Sequence, residues 1–329
     1  MEFKDKLLDT YIAFEEELGP KDSIQKLRSQ ALKTFENLGF PSKKQEAWKY
    51  TSLNSLLQSD YLLFPKSEKA VELNQIKHAF LYEIDTYKVV FIDGVHSPFL
   101  SDTTHDGLDV CLLSAALSKP KYKKLIDTYF GSVADNDESM TALNTTYARE
   151  GAYIYIPKNK EVEKPIEILN FYTGAESSLM LQPRNLVVVE ENAQVQIIER
   201  HQSLSGHAVV TNALTEVFVS QRAQVDYYKI QNDRPEASLI DSTYVKQDRD
   251  SVCSVHTFSL GGQLIRNNLN FYQHGAHAMS IMKGITLIEG KQHVDHNTLV
   301  HHIAPNCESH QDYKGVYDDN ATGVFNGKI

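Results

Sequence analysis

Cysteine is scarce in this sequence, with only Cys111, Cys253 and Cys307 among 329 residues. An odd, widely spaced set builds no disulfide framework and fits a reducing compartment, where any cysteine of consequence acts as a thiol. Long apolar runs are missing as well. Nothing approaches the roughly 18 consecutive residues that suggest a membrane span. The opening MEFKDKLLDTYIAFEEEL sets acids among its apolar positions and has no basic region ahead of an uninterrupted apolar stretch, so it does not read as a secretory signal. These absences predict a cytoplasmic chain that enters no membrane. Positive charge is also in short supply: 33 Lys and Arg stand against 43 Asp and Glu, a formal charge of −10. That balance works against nucleic acid, whose nonspecific binding scales with the number of cationic contacts to phosphate. The one basic cluster of note, Lys119 to Lys124, reads as a solvated helix face. A GxxxxGK[ST] phosphate loop is lacking too, and Gly261-Gly262 reads as a turn.

What is present falls into two textures, and the length allows two domains. From Ser23 to Leu38 the residues Ile24, Leu27, Ala31, Phe35 and Leu38 recur at spacings of three and four, which predicts an amphipathic helix. Asp22 or Ser23 suits its N-cap, Gly39 its C′ position, and Pro41 prevents continuation. A preceding helix over Lys4 to Leu18 would turn Leu7, Leu8, Tyr11 and either Phe14 or Ile12 inward and close at Gly19-Pro20. Trp48, the only tryptophan, reads as a plug that packs this helical hairpin onto the next part of the chain. VVFIDGV looks like a strand ending in an Asp-Gly turn, whereas Val110 to Leu117 and Tyr122 to Tyr129 look helical. Gly131 to Thr145 lacks an apolar run and suits a junction, which gives a helical and mixed domain over 1–145 and a second domain over 146–329.

After Gly151 short alternating strands succeed one another with polar turns between them. Ala193-Gln194-Val195-Gln196 returns 30 positions later (223 − 193) as Ala223-Gln224-Val225-Asp226, with weaker echoes near Asp250, Gly275 and Asn320. A period of 25–30 residues made only of strands and turns points to a parallel β-helix, with a β-sandwich as the competitor. The fold class is therefore α+β, mainly β.

The polar residues concentrate in Gln292–Ile329. His274, His277, His293, His296, His301, His302 and His310 lie near Cys307, and imidazole with thiolate suits zinc or iron. Strand alternation puts Asp295, Asn297 and His301 on one face with His293, and His296, Thr298 and His302 on the other, which yields no recognisable ligand set. Cys307 and His302 remain the candidate metal ligands. No catalytic residue emerges. Ser309 beside His310 lacks any motif that positions a nucleophile and its base, and Asp318-Asp319-Asn320 lacks the remaining ligands of a calcium loop.

Gln45-Glu46-Ala47-Trp48-Lys49-Tyr50-Thr51, GAYIYIPKNKEVEKPIEI from Gly151, QPRNLVVVEENAQVQIIE from Gln182, and the late series Asp295, Thr298, His302, Cys307, Ser309, Gln311, Lys314 and Gly315 followed by VFNGKI together resemble the SufB/SufD group of iron–sulfur cluster assembly proteins. The EAWKYT entry behind a helical hairpin is similar to the SufD type. The resemblance implies a helical N-terminal domain, a right-handed parallel β-helix and a C-terminal helical domain. It also implies a non-catalytic scaffold in a SufB–SufC–SufD complex, which meets a SufB-like subunit through the β-helix and a SufC-like ATPase through the C-terminal domain. Iron or an iron–sulfur cluster would be handled transiently at the level of that complex. The sequence stops at Ile329, ahead of the last turns and terminal helices that the resemblance implies, and so reads as truncated. A stand-alone metalloprotein and a β-helical enzyme acting on polysaccharide are the rival readings.

Overall fold

The computed structural model describes residues 3–18, 24–64, 76–81, 83–102, 108–173, 177–204 and 206–329. Helices α1 (Phe3–Leu18) and α2 (Gln25–Leu38) open the chain. In α1 the buried side chains are Leu7, Tyr11 and Phe14, whereas Ile12 faces solvent at 68% exposure, so the helical stripe continues through Phe14. In α2 the buried residues Arg28, Ala31 and Phe35 form the inner stripe. The helix ends where Gly39, at φ 63°, donates its N–H to the Phe35 carbonyl. The caps expected at Asp22 or Ser23, and the Gly19-Pro20 closure, lie outside the described residues.

Among the described residues three shorter α-helices follow: α3 (Leu113–Ser118), α4 (Lys123–Tyr129) and α5 (Ser139–Thr146). One expectation needs correction here. Asp109–Leu112 forms a strand rather than the start of a helix, because it pairs antiparallel with the chain at 152–155 and helix begins only at Leu113. The segment 131–145 carries most of α5. Every residue of α5 is buried, and Asn144 donates to the carbonyls of Pro183 (3.0 Å) and Asn212 (2.7 Å), which builds the helix into the β-rich half.

Strands β1 (Tyr87–Ile92), β2 (Val95–His96) and β3 (Asp109–Leu112) precede residue 146 and already belong to the sheets. Asp93 and Gly94, at φ 50° and 76°, make the tight turn between β1 and β2, in the left-handed region that favours Asp and Gly. The remaining strands are β4 (Ala152–Ile156), β5 (Ile166–Tyr172), β6 (Leu179–Leu181), β7 (Arg184–Val189), β8 (Gln194–Ser203), β9 (Val209–Val219), β10 (Gln224–Gln231), β11 (Ala237–Gln247), β12 (Val252–Ser259), β13 (Leu264–Gln273), β14 (Met279–Ile288), β15 (His293–His302), β16 (Glu308–Tyr317) and β17 (Thr322–Lys328).

From β4 onward alternate strands stack in parallel into two sheets. One runs β5-β8-β10-β12-β14-β16 and the other β4-β7-β9-β11-β13-β15-β17. This is a parallel β-helix of about six turns, and its parallel register excludes the sandwich alternative. The sequence repeat is the coil itself, since Gln224 pairs with Gln194 and Val225 with Val195. Each coil turns one corner on a residue in the left-handed region: Asn192, Arg222, Asp250, His277 and Asn306, with φ between 56° and 62°. The next position is small and packs into the corner; Ala193, Ala223, Ser251 and Ala278 are all buried there. The lumen is packed with Val and Ile in its first coils and admits polar side chains further along.

Candidate functional site

The middle coils place charged side chains inside the β-helix. Glu199 on β8 and Lys229 on β10 are register partners, separated by the same 30 residues as the sequence repeat (229 − 199). Lys229 Nζ donates to Glu199 Oε2 at 3.0 Å and to both oxygens of Asp241, on the facing β11, at 2.7 and 2.9 Å. Glu199 also accepts from Tyr227 Oη (2.9 Å) and Asn185 Nδ2 (2.9 Å). His201 stands beside it, with Nε2 3.3 Å from Glu199 Oε1 and Nδ1 2.7 Å from Tyr172 Oη. All of these groups are shut off from solvent.

Charges so placed are tolerated only as partners, because an ion moved into a low-dielectric interior loses several kcal/mol of hydration. Burial alone would raise the Glu199 carboxyl. The charges of Lys229 and His201 and the hydrogen bond from Lys229 outweigh it and hold that carboxyl well below the usual range. Burial pulls Lys229 and His201 down, but the surrounding carboxylates reverse both: Asp241 and Glu199 raise the ammonium, and Glu199, Asp241 and Asp233 raise the imidazole.

Toward the later coils the lumen becomes neutral. Gln231 Nε2 donates to Asp241 (3.2 Å) and Asn267 (2.6 Å), and Ser259 donates to Gln231 Oε1 (2.7 Å). Asn267 Nδ2 lies 3.2 Å from His296 Nδ1, and His296 Nε2 lies 3.0 Å from Thr286 Oγ1. An amide N–H can only donate, so Nδ1 accepts and the ring proton sits on Nε2. Burial pushes His296 down to about 4.

The late histidines disperse along the coils. His293 and Asp295 occupy the outer side of β15, while His296 and Thr298 point into the lumen, where Thr298 donates to Gln311 (2.9 Å). His301 meets the Tyr272 ring edge-on at 5.6 Å, and His277 forms a corner. Cys307 occupies the small corner position of Ala193 and Ala278, and its Sγ donates to the Gly275 carbonyl at 3.3 Å. His302 pairs with Gln273 in register and continues a column of glutamines. Gln247 Nε2 donates to the Met279 carbonyl (2.9 Å), Gln273 Nε2 to Ser280 (2.9 Å) and the Glu308 carbonyl (2.8 Å), and His302 Nε2 lies 3.1 Å from Ser309 Oγ. Ser309 is thus oriented by His302, and His310 turns to Glu308 (3.4 Å) instead. Among the described residues no group of three or more His, Cys, Asp or Glu is placed to hold a metal ion.

The outer side of the second sheet carries the other polar constellation. Trp48, in the 3-10 turn Glu46–Trp48, lies on Arg266 of β13 with the guanidinium carbon 4.1 Å from the ring centre. Arg266 donates to Asp295 on β15. Thr51 donates to the same carboxylate and lies 2.9 Å from His293 Nε2. The serial order of hydroxyl, imidazole and carboxylate superficially suggests a catalytic triad. Here the carboxylate binds the hydroxyl rather than the imidazole Nδ1, so the geometry is that of a clasp.

Two family descriptions match successive parts of the chain. "SufBD protein N-terminal region" matches residues 1–168, and "SUF system FeS cluster assembly, SufBD core domain" matches 171–329. The chain belongs to the SufBD family. A SufBD family protein of Synechocystis is 28% identical over 320 residues, covering 94% of this chain and 70% of that protein. The iron–sulfur cluster assembly protein SufD of Escherichia coli is 25% identical over 315 residues, with the same two coverages, and that of Bacillus subtilis is 24% identical over 317 residues, covering 92% and 70%. Membership in the SufBD family places this chain in iron–sulfur cluster assembly. No helix among the described residues is long and apolar enough to cross a membrane.

Alternation correctly separated the two faces of β15, but the Glu199–Lys229–Asp241 cluster escaped the sequence reading. The available signal was the repeat: shifting the chain by its own period of 30 sets Glu199 against Lys229, in the register column that holds Ile168 on β5 and Thr257 on β12.

Proposed function

We propose that this chain is a non-catalytic scaffold subunit of a cytoplasmic SufB–SufC–SufD type complex. It meets a SufB-like subunit through the β-helix, and a SufC-like ATPase docks on the C-terminal helical domain implied by the resemblance to SufD. The observation that carries this reading is the match to two SufD proteins across more than nine-tenths of the chain. The lumen agrees with it. In its middle coils Lys229, Glu199, Asp241 and His201 are grouped with one another away from solvent, as suits a rigid framework. The cluster under assembly is cargo of the complex, and Cys307 and His302 are its candidate contacts on this subunit. Co-purification of the full-length protein with SufB- and SufC-like partners tests the proposal: a stable three-component complex is expected, and elution of the protein alone under complex-forming conditions overturns it. In cells lacking the native gene, unchanged cluster assembly with both Cys307→Ala and His302→Ala would remove those two side chains from the cargo path.

A further inference from the structure

A β-helix is quasi-one-dimensional, so each coil is held mainly by its neighbours and late coils open at low free-energy cost. One segment of this chain breaks that rule. Trp48 rests on Arg266 of β13, and Thr51, 242 and 244 residues away in sequence, binds His293 and Asp295 of β15. His293 then reaches β17 through Nδ1, 2.6 Å from Thr322 Oγ1. The direction of this run of hydrogen bonds is fixed by its ends. Thr51 gives its only hydroxyl proton to Asp295, so it accepts from His293 Nε2–H; Nδ1 is then the acceptor for the Thr322 hydroxyl. Burial and the nearby charges of Arg266 and Lys43 hold His293 below its ordinary value despite Asp295, which agrees with a neutral ring. Asp295 is on the outside of the β-helix yet only 2% exposed, and Thr51 is 1% exposed, because each covers the other. Three successive strands of one sheet are therefore tied to a single short N-terminal segment.

We propose that Gln45–Thr51 is a strap whose attachment sets the order of the late coils β13, β15 and β17 and thereby regulates their availability to a partner. The partner half of this statement rests on the reading that the β-helix meets a SufB-like subunit; the strap itself does not. Attached, the strap presents these strands in one fixed register. Detached, it leaves a buried Arg266–Asp295 pair open to water and the His293–Thr322 link between β15 and β17 without its anchor at Thr51.

Hydrogen exchange on the full-length protein, read by mass spectrometry, tests it. Thr51→Val removes the hydroxyl at nearly constant volume and is expected to speed exchange about tenfold in peptides from β13, β15 and β17, with β7 and β9 unchanged. His293→Gln should act more narrowly, speeding β17 while leaving β13 protected. Unchanged exchange of the late strands in both variants overturns the strap, and so does a uniform increase over the whole β-helix in His293→Gln, which serves as the arbiter if Thr51→Val folds poorly. A parallel titration with a SufB-like subunit should show about tenfold weaker binding by Thr51→Val. Failure of the wild type to bind would instead count against the functional reading and leave the exchange result standing, whereas equal binding by wild type and a demonstrably loosened variant overturns the regulatory half.

Discussion

His201 and His296 are both buried in the lumen of the same β-helix, yet their surroundings drive them in opposite directions. In the middle coils His201 stands between Tyr172 and the Glu199 carboxylate, with Asp241 and Asp233 beyond, and its protonated form is favoured. In the late coils His296 is held by the Asn267 amide and the Thr286 hydroxyl, with the Tyr313 ring 5.0 Å away, and burial disfavours the cation. The backbone is nearly the same in the two places. What differs is whether carboxylates accompany the ring into the interior, so lumen polarity is a property of individual coils rather than of the fold.

The largest way to break this contrast is to remove the cation of the middle coils. Lys229→Met strands the Glu199 and Asp241 carboxylates and should lower the unfolding free energy by about 3–5 kcal/mol, the usual cost of leaving a buried charge unpaired, seen as a lower midpoint in urea. In the late coils the corresponding loss is one of neutral hydrogen bonds. His296→Leu leaves Asn267 and Thr286 without that partner and should cost about 1–3 kcal/mol in the same experiment.

The pH dependence sharpens the comparison because the signs are opposite. The folded pKa of His201 lies above the unfolded value of 6.5, so its contribution is complete below pH 6.5 and is lost as pH rises through the folded value. His296 falls from 6.5 to about 4, so its contribution is complete above pH 6.5 and is lost as pH falls toward 4. Urea midpoints measured across this range should lose their alkaline slope in His201→Gln and part of their acid slope in His296→Leu, and the reverse assignment would refute the contrast. The smallest effect is expected at the corners, which both regions share. Asn192→Ala forces an alanine to φ 57° and should cost about 1 kcal/mol, with no dependence on pH.

Much of the fold was legible because a coil repeats. The return of Ala193-Gln194-Val195 at Ala223-Gln224-Val225 announced both the period and the register in which β8 and β10 pair. Alternation assigned His293 and His296 to opposite sides of β15, and both assignments hold. The fate of each side was less legible. Asp295 is bonded by Thr51, which returns from 244 residues away, and no local pattern encodes such a contact. The same limit explains the segment 131–145. In its polar GSVADNDESMTALNT, Asn144 and Thr141 find buried partners in Asn212 and Tyr244, so polarity there signals satisfied hydrogen bonds rather than exposure. Cys307 stood out as a candidate metal ligand beside so many histidines, and only the stacking of coils shows it in the corner position held elsewhere by Ala193, Ala223 and Ala278.

A framework whose late coils are set in register by its own N-terminal segment should engage its partner as a formed surface. Hydrogen exchange of the full-length protein with and without a SufB-like subunit tests this most directly. The account predicts slower exchange within 264–328 of the β-helix on complex formation, with α1 and α2 unaffected; slowing confined to α1 and α2, or a complex that leaves the β-helix unchanged, would contradict it.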